Sequence, residues 1–326
     1  MSAFIQKNIY VEDAMSVNDL WSRRDILKSS IALAGVGAVG LFARPASALG
    51  SLKLGASDVT VISDGNLMLP LSFAFPDVSQ DELIAFLSQQ GQPTDALLPD
   101  CNITVFRHGD RVVMFDVGSG PNFMPSAGKL MDNLEEAGVS PDEVTDIVFT
   151  HAHPDHLWGL IDDFDELIFA DARYHMNRVE WDYWRADDTL EKTPEARKSF
   201  VVGAQNRMAF LEDRIELFEY GAEVVPGVEA VDTSGHTPGH TSFMIHDGSN
   251  SALVVGDAIT NVAVSLAHPE WPSGSDQDAE KGIATRKMLL DRLATDGSRI
   301  IGFHMPHPGL GTVERAGTAY RFVVAG

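Results

Sequence analysis

The sequence predicts a sandwich of two β-sheets with helices on the outside, in the α/β or α+β class. Three observations carry that expectation. Strand-like and helical segments alternate in two batches, and the strand pattern returns after Glu216 with enough material for a second sheet. The chain has 326 residues, 44% hydrophobic and 22% charged, which suits a soluble protein with a substantial core. No internal repeat, low-complexity tract or interdomain linker breaks it up.

The first stretch reads as an address. Residues 22–28 are SRRDILK, followed by an apolar Gly- and Ala-rich run over 31–43, then Arg44-Pro45 and Ala46-Ser47-Ala48. A charged segment, a short apolar segment and an A-x-A cleavage pattern occur in the order of an export signal. The apolar run is too short to span a bilayer. The Arg23-Arg24 pair resembles a bacterial twin-arginine signal. The expectation is a signal peptide over 1–48 and one domain over 49–326. The translocase would be a partner in transit, and the destination would be the periplasm or the exterior. Met1 and Met15 both remain open as the start.

In the remaining chain, 59–63 and 103–107 have strand character. So does 111–115, joined to the strand before it by a Gly109-Asp110 turn. A loop follows over 116–120. A helix is expected over 127–137 with Gly138 as its stop. The apolar strand 146–150 runs into His151, and 195–212 reads as helix. The second batch has strands at 228–232, 242–246 and 252–255, a helix over 278–294, and a strand at 299–303 ending at His304.

Lys and Arg number 24 against 47 Asp and Glu, a formal charge of -23. Such a surface repels nucleic acid and anionic membranes. Solubility accounts for it, and a small-molecule substrate is expected, with no membrane anchor and with a homodimer left open. The single cysteine, Cys101, allows no intrachain disulfide and reads as a small buried residue.

Chemistry concentrates in His151-Ala152-His153-Pro154-Asp155-His156. Alternation along an extended segment puts His151 and His153 on one side. The turn at Pro154 lets Asp155 and His156 face a second point. His240, Asp257 and His304 also sit at strand ends, where a scaffold positions functional side chains. Together these give five imidazoles and two carboxylates, enough for two ions. Nitrogen and oxygen ligands without thiolates suit Zn2+, with Mn2+, Fe2+ or Co2+ as alternatives. No G-x-S-x-G, phosphate-binding or dinucleotide-binding fingerprint competes.

HAHPDH at 151–156, GHTPGH at 235–240, VVGDA at 254–258 and GFH at 302–304 resemble, in that order, the metallo-β-lactamase superfamily. VISDG, FDVGSG, HTPGHTSF and FHMPHPG point within it to the methyl parathion hydrolase branch. The resemblance implies a four-layer αββα sandwich with metals at one rim. It implies His151, His153 and His240 on one ion, Asp155, His156 and His304 on the other, and Asp257 between them. It also implies that Asp116 orients a ligand histidine, and that Phe123, Trp184 and Phe200 line an aromatic leaving-group pocket. His236 and His307 are read as neighbours of ligands, His307 at the substrate rim. For His108, His175, His246 and His268 a structural role is expected.

The mechanism expected is attack by a metal-bridging hydroxide on an ester, lactone or similar centre, with phosphotriesterase side activity. Asp155 and Asp257 are the candidate catalytic carboxylates, Asp257 taking a proton as the intermediate collapses. The alternative on the same scaffold is an iron-dependent sulfur dioxygenase or oxygen-reducing enzyme.

Overall fold

A computed structural model describes residues 49–325. The expected export signal lies outside the described residues. The first sheet contains, in spatial and chain order, Leu49–Leu54, Ser57–Asn66, Asp100–His108, Arg111–Phe115, Asp146–Val148, Arg173–Asn177 and Ile215–Phe218. The second contains Glu223–Val225, Val228–Asp232, Thr241–Asp247, Asn250–Val254, Arg299–Ile301, Leu310–Ala316 and Ala319–Val324.

The sandwich follows from alternation of apolar side chains. Val113 and Phe115 point into the layer between the sheets, where Val59, Val61 and Phe106 meet Val228, Phe243, Ile245 and Val254. Their neighbours Val112 and Met114 point the other way, under Leu130, Leu134 and Met208. In the second sheet Ile301 faces inward, while Ile300 and Leu253 face Leu289, Leu290 and Leu293 of helix Ala279–Asp296. Period-two strands thus have one apolar face for the partner sheet and one for helices. The architecture is the expected αββα sandwich.

The direction of the strands positions the site. Arg111–Phe115, Asp146–Val148, Arg173–Asn177 and Ile215–Phe218 run parallel, so their carboxyl ends share a rim. Asn250–Val254 and Arg299–Ile301 are also parallel. Loops at the carboxyl ends of parallel strands are where α/β sheets place ligands.

Several boundaries differ from the sequence reading. The strand at Asp146 stops at Val148, because the backbone and hydroxyl of Thr150 turn to bond Asp116. The helix expected over 127–137 spans Leu130–Glu136, since Gly128 has φ +73 and the Leu130 N–H donates to Asp64. The helix expected over 195–212 is a 3-10 turn, Glu195–Arg197, followed by Lys198–Ala209. Asp278 caps helix Ala279–Asp296, accepting from the Lys281 N–H at 3.0 Å. Leu49–Leu54, Arg173–Asn177 and the last two strands went unread, as did helices Gln80–Gln89 and Arg178–Arg185. No helix of the described residues is long and apolar enough to cross a membrane.

Phe115 and Phe243 meet between the sheets with ring centroids 5.4 Å apart, both fully buried. Phe243→Ala is expected to destabilise the domain by about 3–5 kcal/mol, the usual cost of emptying an aromatic core position. A shift in the urea midpoint measures it. A loss under about 1 kcal/mol would contradict tight packing of the two sheets there.

Candidate metal centre

The centre is built on the loop after strand Asp146–Val148. His151 and His153 precede a one-turn helix, Pro154–Leu157, with Pro154 at its first position. That turn swings Asp155 and His156 toward a second point, and all four are buried. His156 is held from behind. Its Nδ1 lies 2.8 Å from Asp116 Oδ2, and Asp116 also accepts from the backbone and hydroxyl of Thr150, each at 2.8 Å. Asp116 has φ +65, a left-handed turn that lets its carboxylate reach back under the loop. Burial pushes the Asp116 carboxyl up, and His156 and Thr150 pull it back. The structure thus places Asp116 behind the ring of His156.

Two groups of side chains converge. His151, His153 and His236 offer nitrogens that all lie within 4.8 Å of one another, and so do the offered atoms of Asp155, His156, Asp257 and His304. Asp257 stands between them. Its Oδ1 is 3.2 Å from His156 Nε2, and its Oδ2 is 3.3 Å from His236 Nε2 and 3.2 Å from His304 Nε2. His304 is aimed by its Nδ1, which lies 2.9 Å from the Asp100 carbonyl.

The donor set fits cations. Asp155 Oδ2, Asp257 Oδ1 and His156 Nε2 are buried without a hydrogen-bond partner among the described residues. Burial, then the charge of His156, holds His151 well below the usual imidazole range, and burial does the same for His153. Neutral imidazole is the form that binds metal. Burial alone would also lower His156 and His304. The carboxylates of Asp257 and Asp155 overcome it and raise both well above that range. The second group therefore draws positive charge into a site closed to solvent. This is a two-metal site with His and Asp ligands, and its two full groups argue against a single-iron centre.

One assignment is corrected. His240 does not join either group. Its Nε2 accepts the Asp257 backbone N–H at 2.8 Å, and its Nδ1 faces Thr233 Oγ1 at 2.9 Å, so both ring nitrogens are engaged. His240 seats the backbone that carries Asp257. Its place is taken by His236, whose Nε2 lies 2.8 Å from His153 Nδ1. The sequence rule favoured the histidine beside strand Thr241–Asp247. The loop before that strand folds back, with Gly235 at φ +133 and its N–H donating to the Thr237 carbonyl, and projects His236 inward. His236 Nδ1 lies 3.1 Å from Asp276 Oδ1, and buried Arg286 donates to Asp276 Oδ2 at 3.3 Å.

Glu180, also missed, lies buried on helix Arg178–Arg185. Its Oε1 accepts from the Ala152 N–H at 2.9 Å and the Trp184 indole at 2.6 Å. Its Oε2 accepts from the Thr237 hydroxyl at 2.7 Å and the Gly239 N–H at 3.0 Å. Asp64 does similar work on the 116–120 loop, accepting from the Ser119 N–H and hydroxyl. Nothing in the sequence marks Glu180, because its role comes from donors on two loops that lie 28 to 59 residues away.

The expected aromatic wall divides. Phe200 lies 6.0 Å from the His153 ring and 6.4 Å from Phe123, both phenylalanines being half-buried. Trp184 is fully buried, with its indole on Glu180 and its ring 5.7 Å from that of His153. His307 is in neither metal-binding group; its Nδ1 lies 2.6 Å from Asn102 Oδ1 and its N–H donates to Asp100 Oδ2 at 2.9 Å. His108 bonds Ser57, His175 bonds Asp146, and His268 stacks on Trp271, which fits their structural reading.

Residues 98–308 match the family model of the metallo-beta-lactamase superfamily. Among solved structures the chain is similar to AidC, a dizinc quorum-quenching lactonase in complex with a product. The TM-score is 0.80 at 26% identity, covering 85% of this chain and 97% of that one. A hydrolase of the beta lactamase superfamily, AbOPH, shares the fold with a TM-score of 0.79 at 24% identity, covering 86% and 98% of the two chains. The N-acyl homoserine lactonase AiiA of Bacillus thuringiensis subsp. kurstaki is 27% identical over 136 residues, 41% of this chain and 46% of that protein. The chain thus spans about half the length of the Bacillus lactonases it matches. The hydroxyacylglutathione hydrolase GloC of Haemophilus influenzae is 24% identical over 221 residues, 66% of this chain and 93% of that protein.

The histidine exchange can be tested directly. His236→Ala is expected to drop purified protein from about two ions per chain toward one. His240→Ala leaves every converging ligand atom in place and should retain more metal. Elemental analysis of the two variants decides, and the opposite order would restore His240 as the ligand.

Proposed function

This chain belongs to the metallo-beta-lactamase superfamily, and on that premise we propose that it is a two-metal hydrolase of small esters or lactones. The observation that carries this reading is the pair of converging groups with Asp257 between them. His151, His153 and His236 would hold one ion, Asp155, His156 and His304 the other, and Asp257 both. Zinc is the proposed metal, in keeping with neutral imidazoles and carboxylates without thiolate. Such a pair, when bound, lowers the pKa of water and polarises an ester oxygen.

The residues of the chain do the rest. Asp116 and Asp276 fix the rings of His156 and His236 from outside, so the ligand nitrogens face the centre. Asp155 and Asp257 are the carboxylates at the reacting centre, and we assign proton transfer to them, with Asp257 returning a proton to the leaving oxygen. Phe123 and Phe200 offer an apolar wall beside His153 for an acyl or aryl group. The same wall supports phosphotriesterase side activity and placement in the methyl parathion hydrolase-like branch. Export through the twin-arginine pathway to the periplasm completes the proposal, on the strength of Arg23-Arg24 and Ala46-Ser47-Ala48.

Two experiments test this reading. Metal-quantified protein should hydrolyse members of a panel of aryl esters, lactones, acyl-homoserine lactones and phosphotriesters, with Asp257→Ala losing metal and turnover together. A variant with full metal and full turnover would remove Asp257 from the centre. For export, Arg23→Lys with Arg24→Lys should leave folded protein in the cytoplasm, and unimpaired passage to the periplasm would refute the twin-arginine assignment.

A further inference from the structure

Arg197 ends the 3-10 turn Glu195–Arg197 and stands at the head of helix Lys198–Ala209. One helical turn further on is Phe200, the ring beside His153. The head of this helix thus carries both the ring beside His153 and the Arg197 guanidinium, whose charge is also felt at His153. The guanidinium carbon lies 5.8 Å from the ring centre of Phe73, on the short helix Leu71–Ala74. Arg197 is therefore held against Phe73 at the head of the helix that carries Phe200.

Its donors have no acceptor among the described residues, and no carboxylate there lies within ion-pair range. Most of the other described arginines are paired. Arg107, Arg111, Arg173, Arg178, Arg185, Arg286, Arg292, Arg315 and Arg321 each reach a carboxylate. Two acids close to Arg197, Glu195 in sequence and Asp276 through its charge, are committed elsewhere. Glu195 binds Lys198 at 2.8 Å. Asp276 has one oxygen on His236 and the other on Arg286. Burial draws the Arg197 guanidinium below its ordinary value, with Asp276 opposing, and its positive charge is felt at His153. A half-buried guanidinium is weakly hydrated, carries five N–H donors in a rigid fork and matches a carboxylate in two parallel bonds.

We propose that Arg197 is a specificity residue that binds a carboxylate carried by the substrate, beside the Phe200 wall and remote from the bond that is cleaved. The proposal rests on the hydrolase reading for the bond broken, and it narrows the substrate class to anionic esters or lactones. Arg197 contributes binding and orientation and takes no part in proton transfer. The reacting group is placed by the centre, and the far end of the substrate by the fork.

The test uses two 4-nitrophenyl esters of similar length, neutral butyrate and the half-ester of glutarate, with metal-quantified wild type, Arg197→Met and Arg197→Lys. Met keeps the packing on Phe73, and unchanged melting temperatures would verify that. A charge-assisted pair of this kind is worth about 10–100-fold in affinity. Arg197→Met should lose about that factor in kcat/KM on the glutarate half-ester, chiefly through KM, while butyrate changes by less than about threefold. Lys keeps the charge without the fork and should recover part of the loss. Free glutarate, titrated calorimetrically, should bind wild type and lose the same factor with Arg197→Met. If glutarate binding shows that loss while neither ester is cleaved, the hydrolase reading fails and the Arg197 site stands. If both esters fall equally, or glutarate binding is absent or indifferent to the substitution, the Arg197 proposal is overturned.

Discussion

Four hydrogen bonds converge on the buried carboxylate of Glu180, and they join the two halves of the metal centre. Ala152 belongs to the loop that leaves the first sheet. Thr237 and Gly239 belong to the loop that enters the second. Each loop carries metal-binding histidines, and neither is fixed by its own sheet alone. Every partner of Glu180 is a donor, so the pocket suits an acceptor-only group. Burial raises its pKa, and the four donors work against that rise. The close fit extends to Gly239, where an added Cβ would come within 2.1 Å of the Glu180 backbone nitrogen. A side chain larger than hydrogen there would push apart the loops that Glu180 holds together.

The same logic recurs one layer out from each ligand. Asp116 sits behind His156, and Asp276, braced by buried Arg286, sits behind His236. The Asp100 carbonyl sits behind His304. His240 performs the equivalent service for the main chain of Asp257. Buried polar groups of this kind are costly unless each finds a partner. Here the outer groups find partners, while Asp155 Oδ2, Asp257 Oδ1 and His156 Nε2 have none among the described residues and are offered to cations. The residual polarity of the site is thus concentrated where metal chemistry needs it.

The sequence made the coarse architecture legible because both sheets have one apolar face in each direction. Val112 through Phe115 alternate cleanly between two cores, and such strands can be recognised from period alone. Arg173–Asn177 could not be, since RYHMN mixes polar and apolar residues on a strand whose His175 pairs with buried Asp146. The second group of ligands was readable because Asp155, His156, Asp257 and His304 lie close after strand ends. His236 was not. Two histidines four residues apart in one Gly- and Pro-containing loop have equal chemistry, and the fold of that loop chooses between them. Glu180, Asp276 and Arg286 were invisible for a related reason. Their importance comes from partners on other elements, 57 residues off for Glu180 and Thr237, 40 for Asp276 and His236, and 10 for Arg286 and Asp276.

The overall charge and the local charge of this molecule point in opposite directions. A formal charge of -23 repels anions at long range. In ordinary salt that repulsion is screened within about 8–10 Å. Near Arg197, Asp276 is engaged by His236 and Arg286, and Glu195 by Lys198. Arg197 is left as an uncompensated cation beside a centre that would itself bind two cations. A substrate carrying a negative group would therefore gain its attraction only after entering the mouth, so its charge bears on how it is oriented at the centre more than on how fast it arrives.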